Sequence, residues 1–473
     1  MNTDEIRDKV LSAREKRASM RAQCSESGCG SLSLSLNIPG YPKSTPLFSK
    51  YFDDVLRECR QFLQAHRVPI DTTREIRQTD EAGDFYLVPV WEGPRLAAIK
   101  ALAEDFEESH PLGRIVDIDV ADHRLQPVSS GRLKPCLLCE KPAVVCMREA
   151  NHTYEDLREH LIRRIRDDLD ARKRQQICRQ ISALALKAVL YEISVSPKPG
   201  LVGRFEQGAH LDMDYFTFVA STSVLAGYFE ELALSGYMFR GNDLREALPV
   251  IRAVGLKMED SMFSATNGVN TQKGLIFLIG LALFSAARCL SNEKLFVPAR
   301  CRESIAAICA DIVRTELMTT SDSDTTHGKI CFRRYGPEGG GVRKEAEDGL
   351  PSVFEHGIPE LKSALAGSGG AMAAAHINRA LIRTLLRLMA ATSDTNILYR
   401  KDMRTLKTVQ QMAQHVLDSE DGGAEAERYA QLLKFCSLEN VSPGGSADLL
   451  AVTVFLYFVE QSFSAPPQHG DTD

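Results

Sequence analysis

Hydrophobic and polar positions change rhythm along this chain. Near the N-terminus they alternate. "SLSLSLNIPG" (31–40), "DFYLVPVW" (84–91) and "GRIVDIDV" (113–120) are short extended runs with the period of a strand. Helical patterns lie between them, such as "SKYFDDVLRECRQFLQAH" (49–66). From 155 to 180 the chain is strongly charged, and Leu157, Leu161, Ile165 and Leu169 recur every four residues. That pattern predicts a solvated helix with one narrow apolar stripe, suited to carrying the chain between domains. The boundary is placed near 172. Beyond it, "ALALKAVLYEI", "YFTFVASTSVLAGYFEELAL", "GLIFLIGLALFSAARCL", "ESIAAICADIVRTEL", "INRALIRTLLRLMAA", "TVQQMAQHVL" and "ADLLAVTVFLYFVEQ" all suit helices. The expectation is a multidomain chain: an α/β or α+β domain over 1–172, then a large all-α domain over 173–473. The tail after "SAPPQHG" is expected to fray.

Composition sharpens this only a little. Of 473 residues, 44% are hydrophobic and 25% charged, an ordinary globular mix. The net charge of −6 offers no excess of positive charge for nucleic acid or an anionic membrane, so neither is expected as a partner. The opening "MNTDEIRDKVLSAREKR" reads as a charged helix, not a signal peptide. A cytoplasmic protein whose 12 cysteines stay reduced is the expectation. The apolar run 274–287 is too short to span a bilayer and reads as a buried helix.

Polar clusters in the second half sit between apolar helices. "SVSPKPGLVGRFEQGAHLDMD" (194–214) breaks a helix with two prolines and a glycine, then sets His210, Asp212 and Asp214 close together. In "NGVNTQKGLIFLIG", Asn270 or Thr271 can cap the next helix. Lys273 then falls in the first turn, which suits either a bound anion or an exposed loop-edge lysine. In "LMAATSDTNILYR", Asp394 ends a helix, where a cation such as Mg²⁺ would offset the dipole. An Asx-turn formed by Asp394 or Asn396 is the alternative. "NVSPGGSADLLAVTVFLYF" opens a helix on a Gly-rich turn. Ser446 caps it and Asp448 suits its first turn, or the turn cradles an anion. "YGPEGGGVRKEAEDGLPSV" reads as a flexible loop carrying Arg343, Glu345 and Glu347.

Together these segments resemble the signature segments of triphosphoribosyl-dephospho-CoA synthase, in order, across about 180–460. That family joins ATP to dephospho-CoA and expels adenine while making the citrate lyase prosthetic-group precursor. The resemblance implies that a ribose 2′-hydroxyl of dephospho-CoA attacks the anomeric carbon of ATP. Lys198, Arg204, Lys273 and Arg343 would face phosphates, with Asn270, Glu345, Asn396 and Ser446 beside substrate. His210, Asp212 and Asp214 would supply a base or metal ligand, and Asp394 and Asp448 would be Mg²⁺ or substrate ligands. The chain departs from the family pattern in four places. Gln272 replaces a His, Gly203 an Asp, Lys344 a Gly, and "RKD" (400–402) replaces Arg-Gly-Gly.

In the first half, a strand over 113–120 puts Asp117 and Asp119 on one face, about 7 Å apart along the chain. Val116, Ile118 and Val120 then face the core. Two such carboxylates suit a divalent metal for in-line displacement at phosphorus, or are solvated edge acids. "SLNIPGYPK" ends a strand in a turn with Lys43 beyond, an ordinary turn or a phosphate contact. Cys136, Cys139, Cys146 and His152 suit tetrahedral Zn²⁺ or buried reduced thiols. "SAREKR", "SLNIPGYPK", "EESHPLGRIVDIDV" and "CLLCEKPAVVCMREANH" resemble apo-citrate lyase phosphoribosyl-dephospho-CoA transferase, across about 8–170. That resemblance implies a nucleotidyltransferase-like domain. A serine of the acyl carrier (gamma) subunit of citrate lyase would attack the phosphate next to the new ribose, and pyrophosphate would leave. Asp117 and Asp119 would hold Mg²⁺, with Arg114 and Lys43 on the phosphates. "CMREA" departs from a usual Cys-Ala-Arg-Ser-Arg. The two halves thus imply a bifunctional enzyme whose second substrate is its first product. Two alternatives stand: a malonate decarboxylase carrier subunit as acceptor, or a helical half that binds nucleotide without catalysis.

Overall fold

The computed structural model describes residues 3–25, 28–91, 96–129, 131, 133–318, 326–366 and 374–464; the tail expected to fray lies outside them. The chain divides into two compact units, Met1–Lys173 and Arg174–Asp473.

Unit one holds α1 (Thr3–Ser25), β1 (Gly30–Leu36), α2 (Pro46–Ala65), β2 (Ile76–Asp80), β3 (Gly83–Val90), α3 (Leu96–Ser109), β4 (Val116–Ala121), α4 (Ala143–Arg148) and the start of α5 (Tyr154–Ser194). Its strands form one sheet in the order β2-β3-β1-β4, antiparallel throughout. The unit is therefore α+β rather than parallel α/β. Leu32, Leu34 and Leu36 of β1 point to one face and join Val116, Ile118 and Val120 of β4 in the core. Helix α2 starts on the Thr45 hydroxyl, which accepts the Phe48 N–H, with Pro46 in its first turn. Its buried Phe48, Tyr51, Phe52, Val55, Cys59 and Leu63 follow helical spacing onto that core. The sheet's other face is covered by α1, where the Arg17 guanidinium lies 4.6 Å over the Phe85 ring. Strand β2 was not expected. Its sequence "IRQTD" is polar, and at the sheet edge it buries little.

Leu161 and Ile165 of α5 lie in the first core, and Cys178, Ile181 and Ala185 farther along the same helix lie in the second. Unit two continues with α6 (Tyr215–Leu225), α7 (Phe229–Met238), α8 (Ala247–Ala265), α9 (Lys273–Glu293), α10 (Pro298–Ile308), α11 (Ile312–Glu316) and α12 (His327–Tyr335). It ends with α13 (Gly341–Glu347), α14 (Ile358–Leu365), α15 (Ala374–Ala391), α16 (Thr395–Arg400), α17 (Met403–Leu417), α18 (Gly422–Leu438) and α19 (Gly444–Phe463). Helix α9 is apolar on every side and is buried against α7, α8, α10 and α19. Both α9 and α19 are long and apolar enough to cross a membrane by length and composition, yet most of each is buried inside the unit.

Three expectations need correction here. The run 215–234 is two helices, parted by a 3-10 turn at Ala226–Tyr228. The run 303–317 breaks at Asp311, whose backbone is left-handed (φ +64°). The glycine-rich stretch after Tyr335 is a 3-10 turn followed by α13, not a flexible loop. Gly339 fits there because a Cβ would lie 2.2 Å from the Cys331 carbonyl oxygen.

Candidate functional site

In unit one the antiparallel register sets Ser35 opposite Asp117 and Ser33 opposite Asp119. Directly opposed residues share a face, so two hydroxyls and two carboxylates line one strip of sheet. Helix α1 brings Arg21 to it, 2.7 Å from Ser33 Oγ and 3.4 Å from Asp119 Oδ2. Lys134 reaches the other end, 2.8 Å from Asp117 Oδ1 and 3.0 Å from Glu107 Oε2. Burial works against the Lys134 charge, but Asp117 and Glu107 outweigh it and raise its pKa. The Glu107 carboxylate in turn accepts the Ile118 N–H at 2.7 Å. Asp119 is the more open acid, and its pKa is raised, first by partial burial and then by Asp117. Two acids flanked by two cations can hold a divalent metal and the phosphates it bridges.

Lys43 donates to the Ile38 carbonyl at 2.5 Å. Burial lowers its pKa, as do the neighbouring charges of Arg14 and Arg158. Arg114 donates to the Pro135 carbonyl and lines a cavity of about 190 Å³ with Cys136, His160 and Arg164. Neither cation bonds to Asp117 or Asp119, whereas Lys134 and Arg21 do. Sequence reasoning missed those two and the serines. The alternation in "SLSLSL" carried the serine signal, since it places them on the face opposite the leucines.

In unit two, residues from five distant segments meet in a cavity of about 280 Å³. Lys198, His210, Asp212, Asn270, Lys273, Asn396 and Asp448 all line it, joined by Gln272, His327, Tyr399, Arg400 and Ser442. His210 Nε2 pairs with Ser442 Oγ at 2.8 Å, and its Nδ1 faces Asp212 at 3.9 Å. Burial and the Arg400 charge depress the His210 pKa, while Asp212 opposes them. The Asn270 side chain accepts the Lys273 N–H at 3.1 Å, but the N-cap of α9 is Gln272 and neither Asn270 nor Thr271 holds that position. Lys273 pairs with Glu259 at 2.7 Å. Asp448 presses on the start of α9: a Cβ on Gly274 would lie 2.1 Å from its Oδ2. Burial raises the Asp448 pKa, followed by Glu192 and Asp394, and only the Leu275 N–H opposes this.

Other predicted residues serve the frame. Asp394 caps α16 by accepting the Asn396 N–H at 3.0 Å, and its second oxygen accepts the Ser446 N–H and hydroxyl at 2.9 and 3.1 Å. Asp214 caps α6 in a capping box with Thr217. Glu345 accepts the Ser352 hydroxyl at 2.6 Å. Arg204 is exposed over the Phe205 ring. Arg343 pairs with Glu316 at 2.8 Å and lines a second cavity, about 590 Å³, which shares Lys273 and Gly274 with the first. Arg252 and Lys329 line that one too.

The departures from the family pattern now have surroundings. Gln272 is buried in the cavity wall, where its Oε1 accepts the Ser221 hydroxyl at 2.7 Å and its Nε2 has no hydrogen-bond partner. A Cβ at Gly203 would lie 2.1 Å from Glu206 Oε1. The Glu206 carboxylate therefore fills that space, accepting the Ser196 hydroxyl and the Lys198 N–H at 2.6 and 2.8 Å. Asp402 caps α17. Lys344 pairs with Glu347 and Asp348 next to its own helix and lines neither cavity.

Lys198 is a structural test case. Its ammonium pairs with Glu192 at 2.6 Å, with side chains 2% and 6% exposed. Lys198→Met strands a buried carboxylate and should destabilise unit two by about 3–5 kcal/mol. Adding Glu192→Gln should restore most of that loss in denaturant unfolding. Equal losses in the single and double variants would refute the pairing argument.

Comparisons with known proteins follow the same division. The family model for apo-citrate lyase phosphoribosyl-dephospho-CoA transferase matches residues 6–168. The model for ATP:dephospho-CoA triphosphoribosyl transferase matches residues 178–466. The "Protein CitXG" of Leuconostoc mesenteroides subsp. cremoris is 30% identical over 441 residues, covering 90% of each chain. That of Haemophilus influenzae is 30% identical over 464 residues, covering 94% of each. A Klebsiella pneumoniae 2-(5''-triphosphoribosyl)-3'-dephosphocoenzyme-A synthase is 38% identical over 274 residues, covering 57% of this chain and 87% of that protein.

Proposed function

We propose a two-step reaction for this chain, which belongs to the CitXG family and joins a phosphoribosyl-dephospho-CoA transferase unit to a triphosphoribosyl-dephospho-CoA synthase unit. In the helical unit the ribose 2′-hydroxyl of dephospho-CoA attacks the anomeric carbon of ATP, and adenine leaves. In the sheet unit a serine of the citrate lyase acyl carrier subunit attacks the phosphate next to the new ribose, and pyrophosphate leaves. The observation that carries this reading is the meeting of seven motif residues in one cavity.

His210 supports the role of base. With Nε2 bonded to Ser442, Nδ1 is left to take the proton of the attacking hydroxyl. Arg400 and Lys273 would neutralise the triphosphate at the start of α9. The adjoining cavity with Arg252, Lys329 and Arg343 suits the second anionic substrate. The residues fit Mg²⁺ unequally. Asp394 does not fit, because protein donors fill both its oxygens. Asp448 fits, as a crowded carboxylate on the cavity wall beside Glu192. In the sheet unit Asp117 and Asp119 would hold the ion, with Lys134 and Arg21 orienting phosphate. When bound, Mg²⁺ offsets charge on the phosphoryl oxygens.

A depressed His210 pKa keeps the imidazole neutral at pH 7. The synthase rate should therefore fall only below the ordinary imidazole value of 6.5. Asp212 favours the charged ring, so Asp212→Asn should move that acid limb lower still; a limb moving upward would contradict the assignment. Stability follows the same sign. The unfolded chain binds the proton more readily, so this contribution is present above pH 6.5 and is lost as pH falls below it.

The deciding experiment mixes the chain with ATP, Mg²⁺ and dephospho-CoA and follows adenine by chromatography. Adenine that appears only with dephospho-CoA supports the first step. ATP binding without adenine overturns it and leaves a nucleotide-binding module. Adding carrier subunits of citrate lyase and of malonate decarboxylase then tests the acceptor, read as pyrophosphate release and a gain in carrier mass.

A further inference from the structure

One cluster lies outside both sites. Cys136, Cys139, Cys146 and His152 offer ligand atoms that all fall within 4.8 Å of one another. Cys139 Sγ and Cys146 Sγ are 3.9 Å apart. That is far beyond the roughly 2.0 Å of a disulfide. It is close to the roughly 3.8 Å edge of a tetrahedron built on 2.3 Å zinc–sulfur bonds. His152 Nε2 is buried and has no hydrogen-bond partner. Such an atom is costly unless something binds it.

The backbone wraps this cluster. The Cys136 N–H bonds to the Lys141 carbonyl at 2.8 Å, closing a tight turn around Cys139. The N–H groups of Leu138 and Cys139 face the Cys136 sulfur. None of the three cysteines joins the hydrophobic clusters of the unit, and Cys136 and Cys139 are only half-buried, so packing does not account for those two. The same turn is tied to the sheet site. Two residues before Cys136, the Lys134 carbonyl accepts the Ala143 N–H at 2.9 Å, and its ammonium reaches Asp117.

We propose that Cys136, Cys139, Cys146 and His152 bind one zinc ion tetrahedrally, and that this ion pins the turn that positions Lys134 over Asp117. Three thiolates and a neutral imidazole select zinc over oxygen-seeking ions such as Mg²⁺. They leave the centre with one net negative charge, and Arg114 lies beside Cys136 to balance it. The positioning half of the proposal rests on the reading of Asp117 and Asp119 given above; the zinc half does not.

The test uses the full chain. Elemental analysis should find one zinc per chain, lost in Cys139→Ser and His152→Gln and retained in Cys24→Ser. Cobalt(II) added to the stripped chain should give the intense visible bands of a tetrahedral thiolate site. Adenine release by the helical unit reports that the variants still fold there, and thermal unfolding reports on the sheet unit. No retained metal, with all three thiols open to alkylation in the folded chain, overturns the zinc site. So does a Cys139–Cys146 disulfide in chain prepared under reducing conditions. For positioning, stripping zinc should slow transfer tenfold or more in the wild-type chain and have little further effect in Lys134→Ala. Equal slowing in both would overturn the link through Lys134 while leaving the metal site standing.

Discussion

Asp119→Asn in the intact chain should abolish transfer to the carrier subunit and leave adenine release unchanged. An amide is a poor ligand for a divalent ion, and the lost charge leaves Arg21 facing Ser33 alone. Metal stabilisation of a transferring phosphoryl group is worth several kcal/mol. A fall in transfer on the order of 10³-fold is expected, since each 1.36 kcal/mol is about tenfold. The protein itself should barely notice. Asp119 is more than half exposed and its ion pair with Arg21 is long, so that pair's share of stability is at most about 1 kcal/mol. Pyrophosphate release from synthetic triphosphoribosyl-dephospho-CoA in the presence of carrier is the measurement. Less than a tenfold loss, or a parallel loss of adenine release, would remove Asp119 from the chemistry.

Gly274→Ala should sharply reduce adenine release while leaving the fold intact. The new methyl group would meet Asp448 Oδ2 at 2.1 Å, and a contact that short forces the carboxylate from the cavity wall. Propensity runs the other way, because alanine inside a helix is favoured over glycine by roughly 0.5–1 kcal/mol. Activity and stability should therefore separate, with adenine release down on the order of 10²-fold or more and unfolding shifted little. Asp448→Asn keeps the shape and removes the charge, and it should match that loss. If Asp448→Asn keeps near-normal activity, the carboxylate is only a brace for α9.

How much of this was legible depended on what each residue does. Strand alternation placed Asp117 and Asp119 on one face because the pleat leaves no choice. The helical motifs marked Lys198, His210, Asn270 and Asp448 as a set, because polar residues between apolar helices have few other reasons to be there. Caps were harder to see. Asp214 and Asp394 look like ligands in sequence, with an Asx-turn the alternative for Asp394, and geometry shows Asp214 Oδ1 and both Asp394 oxygens accepting backbone N–H groups. Lys134, Arg21 and Glu192 were hidden because they gain meaning from partners far along the chain, or from burial that a local pattern does not report. Glu206 was hidden in the same way, since its role appears only where Gly203 leaves room for it.

Helix α5 bears on how this gene could ever be divided. It serves two cores, with Leu161 and Ile165 in one and Cys178 and Ile181 in the other. A break before Tyr154 would take Leu161 and Ile165 from the core of the sheet unit. A break after Ile181 would take wall residues from the helical unit. Only Lys173–Gln176, whose side chains face mainly outward, leaves each fragment its own stripe. A lineage that parts these activities into two genes, or an experimenter who does so, has one narrow window in which neither product inherits a damaged core.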